Sequence, residues 1–172
     1  DLDAFEEAAE AYSRARNINK EINDHSLAIY LDLGEAHIAL HRDNPERARS
    51  ILVDCELKLP ADEESYLRSL WNLANGFWLL KHGQSEASIS LFEKALKVFS
   101  KEGYQSESAR AHLFLAAAKY EAHKLDECMP HLKQVAQTFR NPDTRSPIIT
   151  AGREIIPTLK RMNAETRLHG PV

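Results

Sequence analysis

The chain has few of the residues that cross-link a fold or interrupt it. Its 172 residues include two cysteines, six glycines and seven prolines. Two cysteines exclude a disulfide scaffold, so Cys55 and Cys128 are read as small buried hydrophobes in a reducing compartment. There is no Gly-rich phosphate loop, Gly-x-Ser-x-Gly elbow, His-Glu-x-x-His or Cys-x-x-Cys, which removes the commonest sequence signals of catalysis. No apolar run approaches the roughly 18–20 residues of a membrane span, and nothing resembles a signal peptide, so a soluble, cytoplasmic protein without membrane contact is expected. Neither sign of charge dominates. Lys and Arg number 22 against 26 Asp and Glu, a net charge of −4, which argues against direct nucleic-acid contact driven by phosphate neutralisation. No stretch of strand length in the first 140 residues alternates with a period of two, so no sheet is expected. The chain opens on Asp1 without an initiator methionine and is read as a piece of a longer polypeptide.

What is present is a triplet repeated every forty positions. Ala8, Tyr12 and Ala15 are followed by Ala48, Leu52 and Cys55, then Ser88, Phe92 and Ala95, then Cys128, Leu132 and Val135. Spacings of four and three put each triplet on one face of a helix. A period in the range of roughly 20–50 residues points to stacked units, each burying its apolar face only against its neighbours. The triplets are therefore expected at helix–helix contacts. An exposed Ala48 or Ala95 would overturn this register.

The punctuation fits the period. Pro45, Pro60, Gly83, Gly103 and Pro142 fall between helical patterns, and helices are predicted at 3–22, 25–42, 45–59, 62–82, 85–101, 105–123, 125–140 and 147–163. Asn44 before Pro45 is an N-cap followed by proline at the first helical position. Asp62 is expected to cap the next helix, and Gly83 to turn the chain tightly between two others. Pro157 should kink or shorten the last helix. One helical-repeat domain is expected over 1–163, with a loose tail over 164–172.

The pairs resemble tetratricopeptide repeats. Leu33, Gly34 and His37 precede Ala48, Leu52 and Cys55, with Pro60 at the closing proline, and Leu73, Ala74 and Phe77 precede Ser88, Phe92 and Ala95. A third pair, with Leu115 and Ala116, is looser. The unit is longer than the family's usual 34 residues. The longer unit and the run Ala151-Gly152-Arg153-Glu154-Ile155-Ile156-Pro157-Thr158-Leu159 resemble the repeat region of large bacterial transcriptional regulators of the maltose-activator type. Those multidomain ATPases combine a helical-repeat sensor with a nucleotide switch and a DNA-binding domain. The resemblance implies an all-α, right-handed superhelical solenoid of about three and a half helix pairs, serving as a non-catalytic interaction or ligand-sensing segment of such a regulator. The alternative is a protein–protein adaptor that grips a peptide or helix without a switch.

Candidate site residues form a stripe. Trp71, Asn75, Trp78 and His82 fall within about 60° on a helical wheel, beside core positions already supplied by Leu70, Leu73, Ala74 and Phe77. In the repeat family this stripe lines the concave groove. Its counterparts are Leu31, Glu35, Ile38 and Arg42, and in the third pair Leu113, Ala117, Tyr120 and Lys124. Such a strip suits a protein or peptide, or a small-molecule inducer. Alternatively the tryptophans pack against adjacent helices. His37 and His41 share a helical face but have no carboxylate at ligand spacing, and His37, which replaces the repeat's usual aromatic, reads as a packing residue. Glu6 with Glu7, and Glu63 with Glu64, read as charges that complement helix N-termini. No metal and no cofactor is expected, and chelators should leave the fold unchanged. The first helix lacks a partner, so it is expected to stack either on a missing repeat or, by self-association through uncapped terminal helices, on another copy of the chain.

Overall fold

A computed structural model describes residues 2–62 and 64–168. Among the described residues the protein is all-helical, with α1 (Leu2–Ile22), α2 (His25–His41), α3 (Pro45–Lys58), α4 (Tyr66–Lys81), α5 (Ser85–Glu102), α6 (Gln105–Glu121), α7 (Leu125–Thr138), α8 (Pro142–Glu154) and α9 (Ile156–Leu168). None of these is long and apolar enough to cross a membrane.

Helix ends follow local chemistry. The Asp24 carboxylate accepts from the Leu27 backbone N–H at 2.9 Å, and the Asn44 side chain accepts from that of Arg47 at 3.1 Å, with Pro45 in the first turn of α3 as expected. Asp62 does not cap a helix. Its carboxylate accepts from Glu64 N–H two residues on, at 2.9 Å, closing a turn instead. α4 therefore starts at Tyr66, where the Ser65 hydroxyl accepts from Arg68 N–H at 3.2 Å. The final stretch forms two helices rather than one. α8 begins at Pro142, five residues before the expected start, and the chain breaks at Ile155. Pro157 becomes the second residue of α9, where its missing N–H has no helical partner to lose. α9 continues to Leu168, past Asn163, and residues 169–172 lie outside the described residues.

The forty-residue period reappears in the backbone. Of the left-handed residues, which also include Asn23 and Gly103, Asp43, Gly83 and His123 recur at this period, with φ of 53°, 72° and 59°. After each, an N–H closes back five residues: Asn44 to Ala39 O at 2.9 Å, Gln84 to Leu79 O at 3.0 Å and Lys124 to Lys119 O at 2.8 Å. This is the bond that ties off the last carbonyls of a helix. Such short connections let α3 pack back on α2 in the first unit and α7 on α6 in the second.

The chain divides into two compact units, residues 1–78 and 79–172, with the division inside α4. In the first, Ile29, Leu33 and Ala36 of α2 meet Leu52, Cys55 and Leu59 around α3, with Trp71 and Ala74 of α4. α1 packs on α2 where Gly34, lacking a Cβ, leaves room for the Tyr12 ring. In the second unit α6 is the central helix, packed against α5, α7, α8 and α9. Phe114, Leu115, Ala116, Ala117 and Ala118 are fully buried, and the small residues let neighbouring helices close in on several sides. Phe92 and Phe114 pack with ring centroids 5.5 Å apart.

Two of the triplets, Ala48–Leu52–Cys55 and Ser88–Phe92–Ala95, are fully buried. The register proposed for Ala48 and Ala95 therefore stands. Cys128 and Val135 are buried and Leu132 is half-buried. The first triplet departs from expectation: Ala8, Tyr12 and Ala15 are only half-buried, because α1 presses on α2 with one side alone. Both cysteines are free thiols.

Candidate functional site

The sequence stripe separates into buried and accessible members. In the first unit Leu31, Ile38, Trp71 and Asn75 are all at most 7% exposed. Trp71 belongs to the core of α2, α3 and α4, and its indole N–H donates to the Leu52 carbonyl at 2.8 Å. A buried indole needs such a partner, and this one fixes the ring inside. Trp71 is thus a packing residue, and the groove expected around it does not reach it. Asn75 accepts from an Arg49 guanidinium N–H at 3.2 Å.

Trp78 behaves differently. It is half-buried, its indole N–H donates to the Pro45 carbonyl at 3.1 Å, and the Arg49 guanidinium lies 5.0 Å from its ring centroid. The ring is held in place while part of it stays accessible. Arg49 was not among the expected residues. The available signal was its position one helical turn after Pro45, on the α3 face that meets Trp78.

Three stripe residues do come together. Glu35, Ile38 and Arg42 line one cleft of about 290 Å³ with Ala9, Asn44 and Arg47. The spacing of three and four along α2 puts them on one face, and α1 supplies the opposite wall. Two of its charges are paired: Arg42 binds Glu6 at 2.7 Å, and Glu35 accepts from two nitrogens of Arg16, at 2.8 and 3.0 Å. The α2–α3 turn joins this cleft to the Trp78 face, since Asn44 lines the one and Pro45 holds the other.

In the second unit His82 is exposed. Leu113 and Ala117 are buried, as is Tyr120; the Tyr120 hydroxyl donates to Glu165 at 2.7 Å, a bond that raises its pKa and ties α9 to α6. Lys124 pairs with Glu86 at 2.7 Å. The Tyr120 and Lys124 side chains thus tie helices of this unit together. His37 packs edge-on against His41, with ring centroids 5.6 Å apart, and lies 6.0 Å from Phe77.

No protein-family model matches the chain, and no curated protein matches it.

Proposed function

We propose that this chain is the helical-repeat sensing segment of a larger bacterial transcriptional regulator, a non-catalytic module of the tetratricopeptide type. Three features support a repeat array: the two fully buried triplets set forty residues apart, the left-handed residues Asp43, Gly83 and His123 at the same interval, and the short connections that follow them. The observation that carries the binding role is the surface at the α2–α3 turn. There a cleft lined by Glu35, Ile38, Arg42 and Arg47 adjoins an indole face held by Pro45 and Arg49. A pre-positioned aromatic beside a mixed-charge cleft suits a peptide or helix of a partner, or a small inducer with a flat face. The partner would act by favouring one arrangement of the repeats, which the regulator's other domains read.

The test is selection of displayed peptides on the chain, followed by affinity measurements on Trp78→Ala and Arg42→Ala. Peptides from the selection should lose about 30-fold in affinity on Trp78→Ala, the equivalent of about 2 kcal/mol. Binders indifferent to both changes would overturn the site. Flanking nucleotide-binding and helix-turn-helix sequence in the parent gene supports the regulator, whereas a parent made of repeats alone would make the chain an adaptor.

A further inference from the structure

α9 is held differently from the helices it packs on. Among its described side chains none is buried: Thr158, Leu159 and Met162 are half-buried and the rest are exposed. Its attachment to α6 runs through a row of polar contacts. The Thr158 hydroxyl donates to the Glu121 carboxylate at 2.7 Å, the Arg161 guanidinium pairs with the same carboxylate, and Glu165 accepts from the Tyr120 hydroxyl at 2.7 Å. Thr158, Met162 and Glu165 fall at i, i+4 and i+7, with Leu159 and Arg161 flanking them. α9 therefore lays one face on α6, as a helix docked in a groove does. It helps to cover Tyr120, which is only 8% exposed and which the sequence places on the groove stripe.

We propose that the Tyr120–Glu121 face of α6 is a second docking surface, fitted to an amphipathic helix of a partner protein, and that α9 occupies it as a built-in competitor. The chemistry of the partner helix is set by what α9 supplies. A hydroxyl and an arginine three residues apart meet Glu121, a carboxylate four residues further on meets Tyr120, and two apolar residues sit among them. Glu121 is half-buried, so opening the surface leaves a carboxylate and a phenol without the partners α9 gave them, and a helix of this pattern restores those bonds. Release of α9 is favoured by how it is joined. A helix of 13 residues is marginal by itself in water, and one that buries no side chain belongs to the low-stability end of local opening. Ile155 is the single residue between α8 and α9. Its side chain is 4% exposed, so the core keeps its anchor when α9 swings away. Pro157, with no N–H, cannot carry the hydrogen-bond ladder of α8 across the break. This surface lies on the second unit and does not depend on the cleft at the α2–α3 turn.

The experiment uses a fluorescent peptide of residues 156–168 in place of the partner. Its binding is compared between the unsubstituted chain and a Thr158→Ala/Arg161→Ala/Glu165→Ala variant, whose own α9 has lost its polar holds while α6 is untouched. Apparent affinity scales with the fraction of chains whose surface is open, so the peptide should bind the variant at least tenfold more tightly. Adding Tyr120→Phe and Glu121→Ala to that variant should remove most of the gain. In parallel, hydrogen exchange on the unsubstituted chain should show α9 amides exchanging at least tenfold faster than those around Leu115 of α6. That readout holds even if a variant fails to fold. Equal affinity for both chains, binding indifferent to Tyr120 and Glu121, or α9 amides protected as strongly as those of α6 would overturn the proposal. So would a concentration-dependent dimer that the α9 substitutions abolish, since it would assign the surface to a second copy of the chain.

Discussion

A Cβ on residue 34 would overlap the ring of Tyr12, so the contact between α1 and α2 is built on the absence of a side chain. Glycine in the middle of a helix costs roughly 1 kcal/mol relative to alanine. Here that cost gives room for an aromatic ring half-buried between two helices. Gly34→Ala should therefore destabilise the protein by about 1–3 kcal/mol through displacement of Tyr12. In a Tyr12→Ala background the same change should become neutral or stabilising, because only the helix-propensity gain remains. Urea denaturation of the four proteins of this cycle measures the coupling, and equal effects in both backgrounds would show that the close approach carries no strain.

The left-handed turns make a second prediction. A Cβ at Gly83 would meet nothing within 4 Å, so Gly83→Ala tests backbone conformation alone and should cost about 1 kcal/mol. Asp43 and His123 adopt the same conformation with side chains attached. His123→Gly should gain up to about 1 kcal/mol on thermal denaturation, since glycine occupies this region without strain. A loss of stability in His123→Gly would mean that the side chain contributes more than its backbone costs.

The two tryptophans should separate in their effects. Trp71→Ala removes a fully packed indole and its bond to Leu52 O, and is expected to cost about 3–5 kcal/mol. Trp78→Ala should cost clearly less, because part of that ring already faces solvent. Denaturant midpoints for both variants check the order, and equal losses would place Trp78 in the core as well.

The thiols give a prediction with pH. Burial, aided by the nearby Asp32 carboxylate, pushes the Cys55 thiol up to about 12, and burial also raises Cys128. Neither should react with an aromatic disulfide reagent at pH 8 in the native protein, and both should react in guanidinium. Because the folded pKa lies above that of the unfolded thiol, about 8.5, the contribution to stability is whole below that pH. It is then lost as pH rises toward about 12. Stability measured across this range should fall less steeply in Cys55→Ala. Rapid native labelling of Cys55 would contradict its burial.

How far the sequence could be read varied with the distance over which each feature is decided. Asn44–Pro45 and Gly83 were legible because caps and tight turns are settled within a few residues. Asp62 misled for the same reason, since its carboxylate had a nearer N–H, that of Glu64, to satisfy. Trp71 and Trp78 were legible as one stripe, but a helical wheel gives an angle and not what covers it. Residues seven apart share that angle, yet one indole reaches Leu52 O under α3 and the other reaches Pro45 O at its start.

The sequence by itself determined that the chain is helical, where most helices begin, and the forty-residue register that buries Ala48, Leu52 and Cys55 with Ser88, Phe92 and Ala95. Periodicity and capping are local properties, and a one-residue slip would rotate every apolar face away from its neighbour. Only the tertiary structure decided that Glu35, Ile38 and Arg42 share a cleft with α1, that Trp71 is core, and that His112 meets His131. Each depends on which helix lies across from which, and on how deeply its side chains interlock. That packing is settled between residues far apart in the chain, whose spacing leaves no periodic trace.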